Sequence, residues 1–543
     1  MPRMLFGDIK ILQIVVFVLL VPSVQASHPY DDPNQAVEVQ LGEVFSGSSR
    51  EATGEALSHC GVRDIRDVWH CYTAANDGLV KIEIVSNTFD SILSVFDPCS
   101  MVELACNDMA CYSGPPQVMM QVIAGTKLLI RVAGYARTSG NYELLVSRVM
   151  PDALTSPLLP FPADQAEYIG TNTVLRWDGV IPKPNRVRRM AVSDAKAGVA
   201  RAGMIPMTIY GQDDREDEYE VEDANRLAAG QAVGMIMYPE NILDNGDGTV
   251  TLFSGTLGEE HALLTGRILC PEERFREQPA PGSATGFLVA PQILATAGHV
   301  VACASTFGLD EVVVFDFVMA DSNTPAIVVK AENIYAMEKV LAYGDGFPDW
   351  ALIQLDRAVT DRQPLYLRRQ GRLSDDVNDL LVIGHPLGLP RKYSGHGQVL
   401  GNDEPAFFET DLDVNGGSSG SPVLDPNTLE VEGILFAGNE DFVPSEAYGG
   451  LCDCSLICSD EQGNCDGWEW VTRSTFFSRI VPVYDVALGK DSNVLMPVAT
   501  NQNVPILVPE GLEANTTYFW QVQAHTVEGT VISPVWSFTT IGE

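Results

Sequence analysis

The central part of the chain holds a histidine, an aspartate and a serine in an order that suits nucleophilic catalysis. His299 ends a short apolar run, Asp349 comes directly before another, and Ser419 lies in a glycine-rich turn. A serine hydroxyl is a poor nucleophile near neutral pH, so an imidazole has to accept its proton and a carboxylate has to fix the tautomer of that imidazole. Each residue alone is a weak signal, but in this order they predict acyl transfer with Ser419 as the nucleophile.

The turn around Ser419 has the composition that an oxyanion hole requires. Gly416, Gly417 and Gly420 allow backbone conformations that other residues rarely adopt. Such a turn can aim two N–H groups at the negative charge that develops on a carbonyl oxygen during acyl transfer. We expect the N–H groups of Gly417 and Ser419 to be these two donors.

Short strands are predicted to hold these residues. Apolar runs of strand length cover 286–289 and 293–296 and lead to His299, and a further run covers 350–355. Residues 35–149 alternate short β-type runs with turns, a spacing typical of an antiparallel sandwich. The sequence therefore predicts an all-β protein.

Length and charge limit the possible functions. The chain has 543 residues, which suggests three or four domains, and its 45% hydrophobic content is that of packed globular protein. The formal net charge is −38. Because phosphate contacts require Lys and Arg, we expect no nucleic-acid partner.

The first 26 residues have the pattern of a secretory signal peptide. Arg3 and Lys10 precede an apolar run over 11–21, and small residues follow up to Ala26. We expect residues 1–26 to be cleaved and the protein to be secreted to the extracellular side. The run is too short to cross a bilayer, so no transmembrane anchor is expected. Export also makes the 11 cysteines candidates for disulfide bonds, with their pairing left open.

The catalytic constellation and the segments around it resemble the trypsin-like serine peptidases, in particular the bacterial glutamyl-endopeptidase-like branch. The resemblance covers about 210–480 and includes further motifs at 210–215, 270–275, 382–390 and 431–435. It implies a double β-barrel over 180–480, with His299 as general base, Asp349 as its orienting carboxylate and Ser419 as nucleophile.

Two departures from the family accompany this resemblance. Ala284 and Val300 stand where the family often has a pair of cysteines, so both ends of that disulfide are absent together. Ser418 precedes the nucleophile where the family usually has Asp or Asn, a change expected to weaken hydrogen bonding near the pocket.

The resemblance also suggests a specificity pocket. Asp413 lies six residues before Ser419, where the family selects Lys or Arg by charge pairing. Leu435 stands where glutamate-selective relatives place a histidine, and Leu435 and Phe436 are expected to line the pocket wall. Cleavage after Arg or Lys is therefore predicted. The alternative, a structural role for the Asp413 carboxylate, stays open.

Both flanks of the peptidase-like region resemble accessory β-domains. Motifs at 67–69, 89–96, 103–108 and 140–144 make residues 35–149 similar to a bacterial pre-peptidase C-terminal domain.

A second accessory domain is interrupted in the sequence. Residues 155–178 are similar to the first two strands of a fibronectin type III domain, and 481–541 are similar to its remainder. Because two strands alone are not stable in water, we expect both segments to share one sandwich, into which the peptidase-like region is inserted.

The leading hypothesis is a secreted serine endopeptidase that acts on protein or peptide substrates without a metal or other cofactor. The sandwiches are candidates to bind cell-surface or matrix material. The alternative is a catalytically silent, peptidase-like adhesion or binding protein.

Overall fold

The architecture is taken from a computed structural model, which describes residues 31–54, 58, 64–107, 115–148, 160, 162–169, 173–177, 207–302, 309–344, 348–375, 377–438, 440–458, 468–526 and 529–541. The predicted signal peptide, residues 1–26, lies outside this part. Strands dominate throughout the described residues, so the predicted all-β class is confirmed.

The N-terminal region folds into a β-sandwich of two sheets with strand orders β1-β3-β8-β5-β6 and β2-β9-β4-β7. Its strands are Val37–Glu38 (β1), Val44–Ser48 (β2), Ile65–Thr73 (β3), Gly78–Asn87 (β4), Ser91–Phe96 (β5), Glu103–Asn107 (β6), Gln117–Val122 (β7), Lys127–Gly134 (β8) and Asn141–Arg148 (β9). Along β9, buried Tyr142, Leu144 and Val146 alternate with more exposed residues. Because side chains on a strand point alternately to opposite faces, this pattern places one face of β9 in the core between the sheets.

Two short strands, Ala166–Ile169 (β10) and Leu175–Arg176 (β11), follow the sandwich. The next strands belong to the peptidase-like region and are Ile209–Tyr210 (β12), Glu216–Asp217 (β13), Val233–Met237 (β14), Ile242–Asp244 (β15), Thr249–Leu252 (β16), Ala284–Ala290 (β17), Ile293–Thr296 (β18), Val312–Val314 (β19), Met319–Asp321 (β20), Thr324–Pro325 (β21), Val328–Lys330 (β22), Ile334–Gly344 (β23), Trp350–Leu355 (β24), Tyr366–Leu367 (β25), Leu380–Gly384 (β26), Lys392–Gly397 (β27), Val399–Gly401 (β28), Phe407–Thr410 (β29), Pro422–Leu424 (β30), Glu430–Ala437 (β31), Phe442–Pro444 (β32), Asp453–Ser455 (β33), Ile457–Cys458 (β34) and Glu469–Arg473 (β35).

Helices are few and short. The described α-helices are Ala224–Gly230 (α1), Leu257–Thr265 (α2) and Gly298–Val301 (α3). The 3-10 turns are Pro33–Gln35, Tyr135–Arg137, Glu218–Glu220, Pro239–Asn241, Ala331–Asn333, Pro386–Gly388, Glu446–Tyr448 and Ser474–Phe476.

Two sheet systems form the peptidase-like region. The first is a closed barrel, β14-β17-β18-β24-β23-β19, and the second is an extended sheet in the order β13-β27-β26-β30-β31-β35-β29-β28, with β25 paired to β31. Strands β14, β17, β18 and β19 of this barrel are almost continuously apolar, and Phe287, Leu294 and Leu352 are fully buried in its core. The N-terminal sandwich contacts this barrel, since Gln117 donates a hydrogen bond to the Tyr343 hydroxyl and Met119 packs against the barrel core.

The two segments of the interrupted domain meet in one sandwich. Its later strands are Val483–Asp491 (β36), Val494–Gln502 (β37), Ile506–Leu507 (β38), Thr517–Thr526 (β39), Gly529–Ile532 (β40) and Trp536–Thr540 (β41). Strand β10 pairs with β41, and β11 pairs with β38. The Trp177 ring lies 6.2 Å from that of Trp520 and 5.5 Å from that of Tyr484, centroid to centroid. The fibronectin type III assignment itself stays a prediction.

The shared core makes a prediction about stability. Replacing Trp177 with alanine is expected to destabilise the sandwich of β36–β41 by about 3–5 kcal/mol, because truncating a buried Trp leaves a cavity. Calorimetry should show one thermal transition moving to lower temperature. The matched control is Arg176→Ala, which changes the exposed neighbouring side chain. Equal melting profiles for both variants would contradict a shared core.

Candidate active site

His299 and Asp349 form a hydrogen-bonded pair between strands of the first barrel. The Nδ1 atom of His299 lies 2.8 Å from Oδ2 of Asp349, while the other carboxylate oxygen accepts the backbone N–H groups of Gly298 and His299. The Asp349 side chain is only 4% exposed, whereas that of His299 is 22% exposed. The carboxylate can therefore orient the imidazole while the ring stays accessible.

Local structure explains the placement of this pair. Strand β18 leads into α3, which carries His299, and β18 pairs with β24, which begins directly after Asp349. A side chain at Gly298 would put its Cβ 1.7 Å from the carbonyl oxygen of Gly344, so only glycine permits this close approach. The backbone N–H of Asp349 donates to the Thr472 hydroxyl at 3.1 Å, which ties the pair to the second sheet.

Ser419 lies in the turn that precedes β30. It is 2% exposed, and its hydroxyl is buried without a hydrogen-bond partner among the described residues. The hydrogen bond to His299 is therefore not formed in this structure, and catalytic hydrogen bonds are often long before substrate binds. The hydroxyl of Ser421 is likewise buried and unpartnered, so this feature alone does not mark Ser419 as the nucleophile.

The backbone of the Ser419 turn leaves alternate N–H groups available. Gly416 donates to the Asp441 carboxylate, Ser418 to the carbonyl of Asn415, and Gly420 to the carbonyl of Leu435, the last bond being 2.8 Å long. In the described structure, the N–H groups of Gly417 and Ser419 have no such acceptor. These are the two groups that the sequence predicts as oxyanion donors, and their role stays a prediction.

The two peptides that flank Gly416 are both held by hydrogen bonds. Leu387 donates its N–H to the carbonyl of Gly416 at 2.5 Å, and Asp441 accepts the N–H of Gly416 at 2.6 Å. Because a trans peptide points its C=O and N–H in opposite directions, the bond to Leu387 turns the N–H of Gly417 away from Leu387. Gly417 has φ of 89°, in the left-handed region that favours glycine.

Asp441 belongs to a buried polar cluster that sequence reasoning missed. It also accepts the N–H of Met207, and burial raises its pKa to about 7 against the lowering effect of these hydrogen bonds. Arg215 is buried beside it, bonding Asn415 and forming two bonds to Asp213. No motif marks Asp441, because it lies in a loop well beyond the nucleophile in sequence. Asp441 thus supplies a carboxylate to the Ser419 turn. In this turn, Ser418 stands where the resembled family usually has Asp or Asn.

Asp413 is buried beneath the same turn. Its two oxygens accept the backbone N–H groups of Tyr210 at 2.7 Å and Asp214 at 2.9 Å. Burial raises its pKa to about 7, and the neighbouring Asp214 and Asp213 carboxylates act in the same direction. These contacts favour the structural role that the sequence left open, and they count against a free charge at the base of a pocket.

The two residues predicted to line the pocket wall are both buried. Leu435 packs in the core of the second sheet with Val471 and Phe408. Phe436 points to the other side of β31, where its ring lies 6.4 Å from that of Phe407 and 6.1 Å from that of Trp470. Leu435 and Phe436 thus belong to different buried clusters, and the role of both as a pocket wall stays a prediction.

Two other histidines have partners of their own. His385 is buried and donates its Nδ1 proton to the carbonyl of Leu389 at 2.9 Å, and burial lowers its pKa to about 3. His396 is exposed and contacts Asp379. Both arrangements account for these histidines without a role as the base for Ser419.

Comparison with known proteins agrees with this geometry. Residues 284–434 match the model of the trypsin-like peptidase domain. The match extends from β17 into β31. The matched range contains His299, Asp349 and Ser419, and it begins at the first residue of β17. A serine-type peptidase is the enzyme class that this domain indicates.

Other comparisons add less. One similar solved structure is the pre-peptidase C-terminal domain of a collagenase from Bacillus anthracis, at 17% identity, covering 20% of this chain and 93% of that chain with a TM-score of 0.16. No curated protein matches the sequence. The glutamyl-endopeptidase branch and the fibronectin type III resemblance have no support from these comparisons.

Cysteine pairing and helix length are two further features of the described residues. Cys270 and Cys452 form a disulfide bond that joins the segment after α2 to β33. Among the described residues, no helix has the length and apolar character needed to cross a membrane.

Proposed function

We propose that the chain is a secreted serine endopeptidase in which His299, Asp349 and Ser419 form the catalytic triad. The observation that carries this proposal is the 2.8 Å contact between His299 and the buried Asp349 carboxylate, in a range of the chain that also holds Ser419 and matches the trypsin-like peptidase domain model. The disulfide between Cys270 and Cys452 supports an extracellular location, because such bonds persist in oxidising compartments.

The mechanism follows from the chemistry of these groups. The Asp349 carboxylate accepts a hydrogen bond from Nδ1–H of His299, and this tautomer leaves the lone pair on Nε2 free to accept the proton of Ser419. The Ser419 oxygen then attacks the substrate carbonyl carbon, and the N–H groups of Gly417 and Ser419 donate to the oxyanion. His299 returns the proton to the leaving amine, and water hydrolyses the acyl-enzyme by the same steps.

A silent, peptidase-like binding protein is the competing function. It is favoured by one observation, the absence of a hydrogen bond on the Ser419 hydroxyl in the described structure. The two functions differ in turnover, so incubation with a mixed peptide library separates them. We expect the wild-type protein to release new N-termini and Ser419→Ala to release none. Equal release by both proteins would refute the triad, and the absence of release by either would favour the binding protein.

Specificity is a separate prediction. The sequence predicts cleavage after Arg or Lys, and the same library measures it from the residue preceding each cut. If Asp413 selects basic side chains, Asp413→Ser should abolish that preference and keep some turnover on small or apolar residues. The bonds of Asp413 to Tyr210 and Asp214 favour another result, in which the variant loses stability and its residual cleavage pattern is unchanged. Cleavage after Glu by the wild-type protein would exclude the pocket role of Asp413.

A further inference from the structure

Thr285 connects the first barrel to the Ser419 turn. It lies on β17 and is fully buried, and its backbone N–H donates to the carbonyl of Ser419 at 3.0 Å. Its hydroxyl lies 3.0 Å from the carbonyl oxygen of Gly417 and 2.9 Å from the backbone nitrogen of His385. A single side chain of one barrel thus contacts two loops that belong to the other sheet.

The direction of both hydroxyl bonds is fixed by their partners. A carbonyl oxygen only accepts, so the Thr285 hydroxyl donates its proton to Gly417, and a backbone N–H only donates, so the oxygen of Thr285 accepts from His385. Because the hydroxyl has only one proton, it cannot donate to a second acceptor while it is bonded to the carbonyl of Gly417.

Thr285 provides two of the four contacts that orient the carbonyl groups of the turn. The carbonyl of Gly416 accepts from Leu387, and that of Ser418 accepts from Ser421. The carbonyls of Gly417 and Ser419 both accept from Thr285, one from its hydroxyl and the other from its N–H. Each peptide unit is planar, so the free N–H groups of Gly417 and Ser419 share their planes with the carbonyls held by Leu387 and Ser421. The Thr285 hydroxyl holds the Gly417–Ser418 peptide that lies between these two planes, and it therefore acts on both donors through the backbone that joins them.

We propose that the hydroxyl of Thr285 is a positioning group for the oxyanion hole of this enzyme. The inference rests on the proposed function and assigns Thr285 no contact with substrate. Without the hydroxyl, the Gly417–Ser418 peptide keeps the bond from its N–H to Asn415 but loses the bond to its carbonyl, so it can tilt and shift the two neighbouring peptides that carry the free N–H groups. Donors that are misdirected by a fraction of an ångström stabilise the transition state less, while substrate binding changes little.

The test compares three substitutions at Thr285 with a matched control. Thr285→Val keeps the shape and removes both hydroxyl bonds, Thr285→Ser keeps both bonds, and Thr285→Cys keeps a weaker donor of similar size. Thr410→Val removes a hydroxyl that is equally buried but has no hydrogen-bond partner in the described part of the chain. Steady-state kinetics on a peptide identified as a substrate should show a kcat about 10- to 100-fold lower for Thr285→Val with KM within a few-fold. Thr285→Ser and Thr410→Val should stay near wild type.

A second readout separates positioning from general destabilisation. A peptidyl boronate, which mimics the tetrahedral intermediate, should lose affinity for Thr285→Val by a factor similar to the loss in kcat. An uncleaved peptide measured on the Ser419→Ala background should bind equally with and without Thr285→Val. A lower melting temperature with unchanged kcat and boronate affinity would overturn the proposal. If Thr285→Val does not fold, an unchanged kcat for a folded Thr285→Ala variant, which also lacks both hydroxyl bonds, has the same meaning.

Failure of this inference can be distinguished from failure of the proposed function. An inactive wild-type protein contradicts the peptidase assignment itself. An active wild type with an equally active, folded Thr285→Val variant contradicts only the role of Thr285.

Discussion

Replacing Ser419 or His299 with alanine is expected to lower kcat by roughly 10⁴- to 10⁶-fold and to leave the fold intact. The reason is that nucleophile and base act as one unit, so the loss of either removes proton transfer and acyl-enzyme formation together. Asp349→Asn should be nearly as severe, because an amide next to Nδ1 of His299 favours the wrong tautomer of the imidazole. Steady-state hydrolysis of a fluorogenic peptide measures all three losses.

The control for this experiment is a second buried serine close to the turn. Ser421 is fully buried, and its hydroxyl, like that of Ser419, has no hydrogen-bond partner among the described residues. Ser421→Ala should keep most of the wild-type kcat, which would show that the loss in Ser419→Ala is chemical and not a packing defect. Near-normal turnover by Ser419→Ala or His299→Ala would end the triad assignment.

Gly417→Ala is expected to lower kcat by about 10²- to 10³-fold, a loss comparable to removing one oxyanion donor. At φ of 89° a Cβ is strained, and it would also lie 2.9 Å from the backbone nitrogen of Leu387 and 3.1 Å from the carbonyl oxygen of His385. The turn has to shift to relieve these contacts, and the N–H of Gly417 shifts with it. Kinetics combined with thermal unfolding measures both effects.

Gly266→Ala is the matched control for backbone strain. Gly266 has φ of 72° at the end of α2, and an added Cβ would meet no atom within 4 Å. This variant should lose about 1 kcal/mol of stability and keep its activity. If Gly417→Ala also retained full kcat, the N–H of Gly417 would not be an oxyanion donor.

The sequence predicts the all-β class and pairs His299 with Asp349, because the chemistry of acyl transfer allows few residue types and the adjacent apolar runs predict strands. It also links residues 155–178 to residues 481–541 across some three hundred residues, because two strands alone are not stable in water. These predictions rely on residue types and apolar runs within short segments of the sequence.

Other parts of the site depend on long-range packing that leaves no local pattern. Thr285 meets Gly417, 132 residues away, only because the first barrel packs against the second sheet. Asp441 reaches Gly416 from a loop that follows β31, with no motif around it. The role of Asp413 is ambiguous in the sequence for a different reason. Its position six residues before Ser419 fits a pocket carboxylate and a structural carboxylate equally well. Only its bonds to Tyr210 and Asp214 distinguish the two roles.

The central claim is that the folded protein activates Ser419 as a nucleophile. Treatment of the native protein with a fluorophosphonate, followed by mass spectrometry of its peptides, measures this directly, because the reagent reacts with an activated serine and does not require a known substrate. We predict a single adduct on Ser419, absent after denaturation and strongly reduced in His299→Ala. Native protein that remains unlabelled at Ser419, or that is labelled equally after denaturation, would contradict the account.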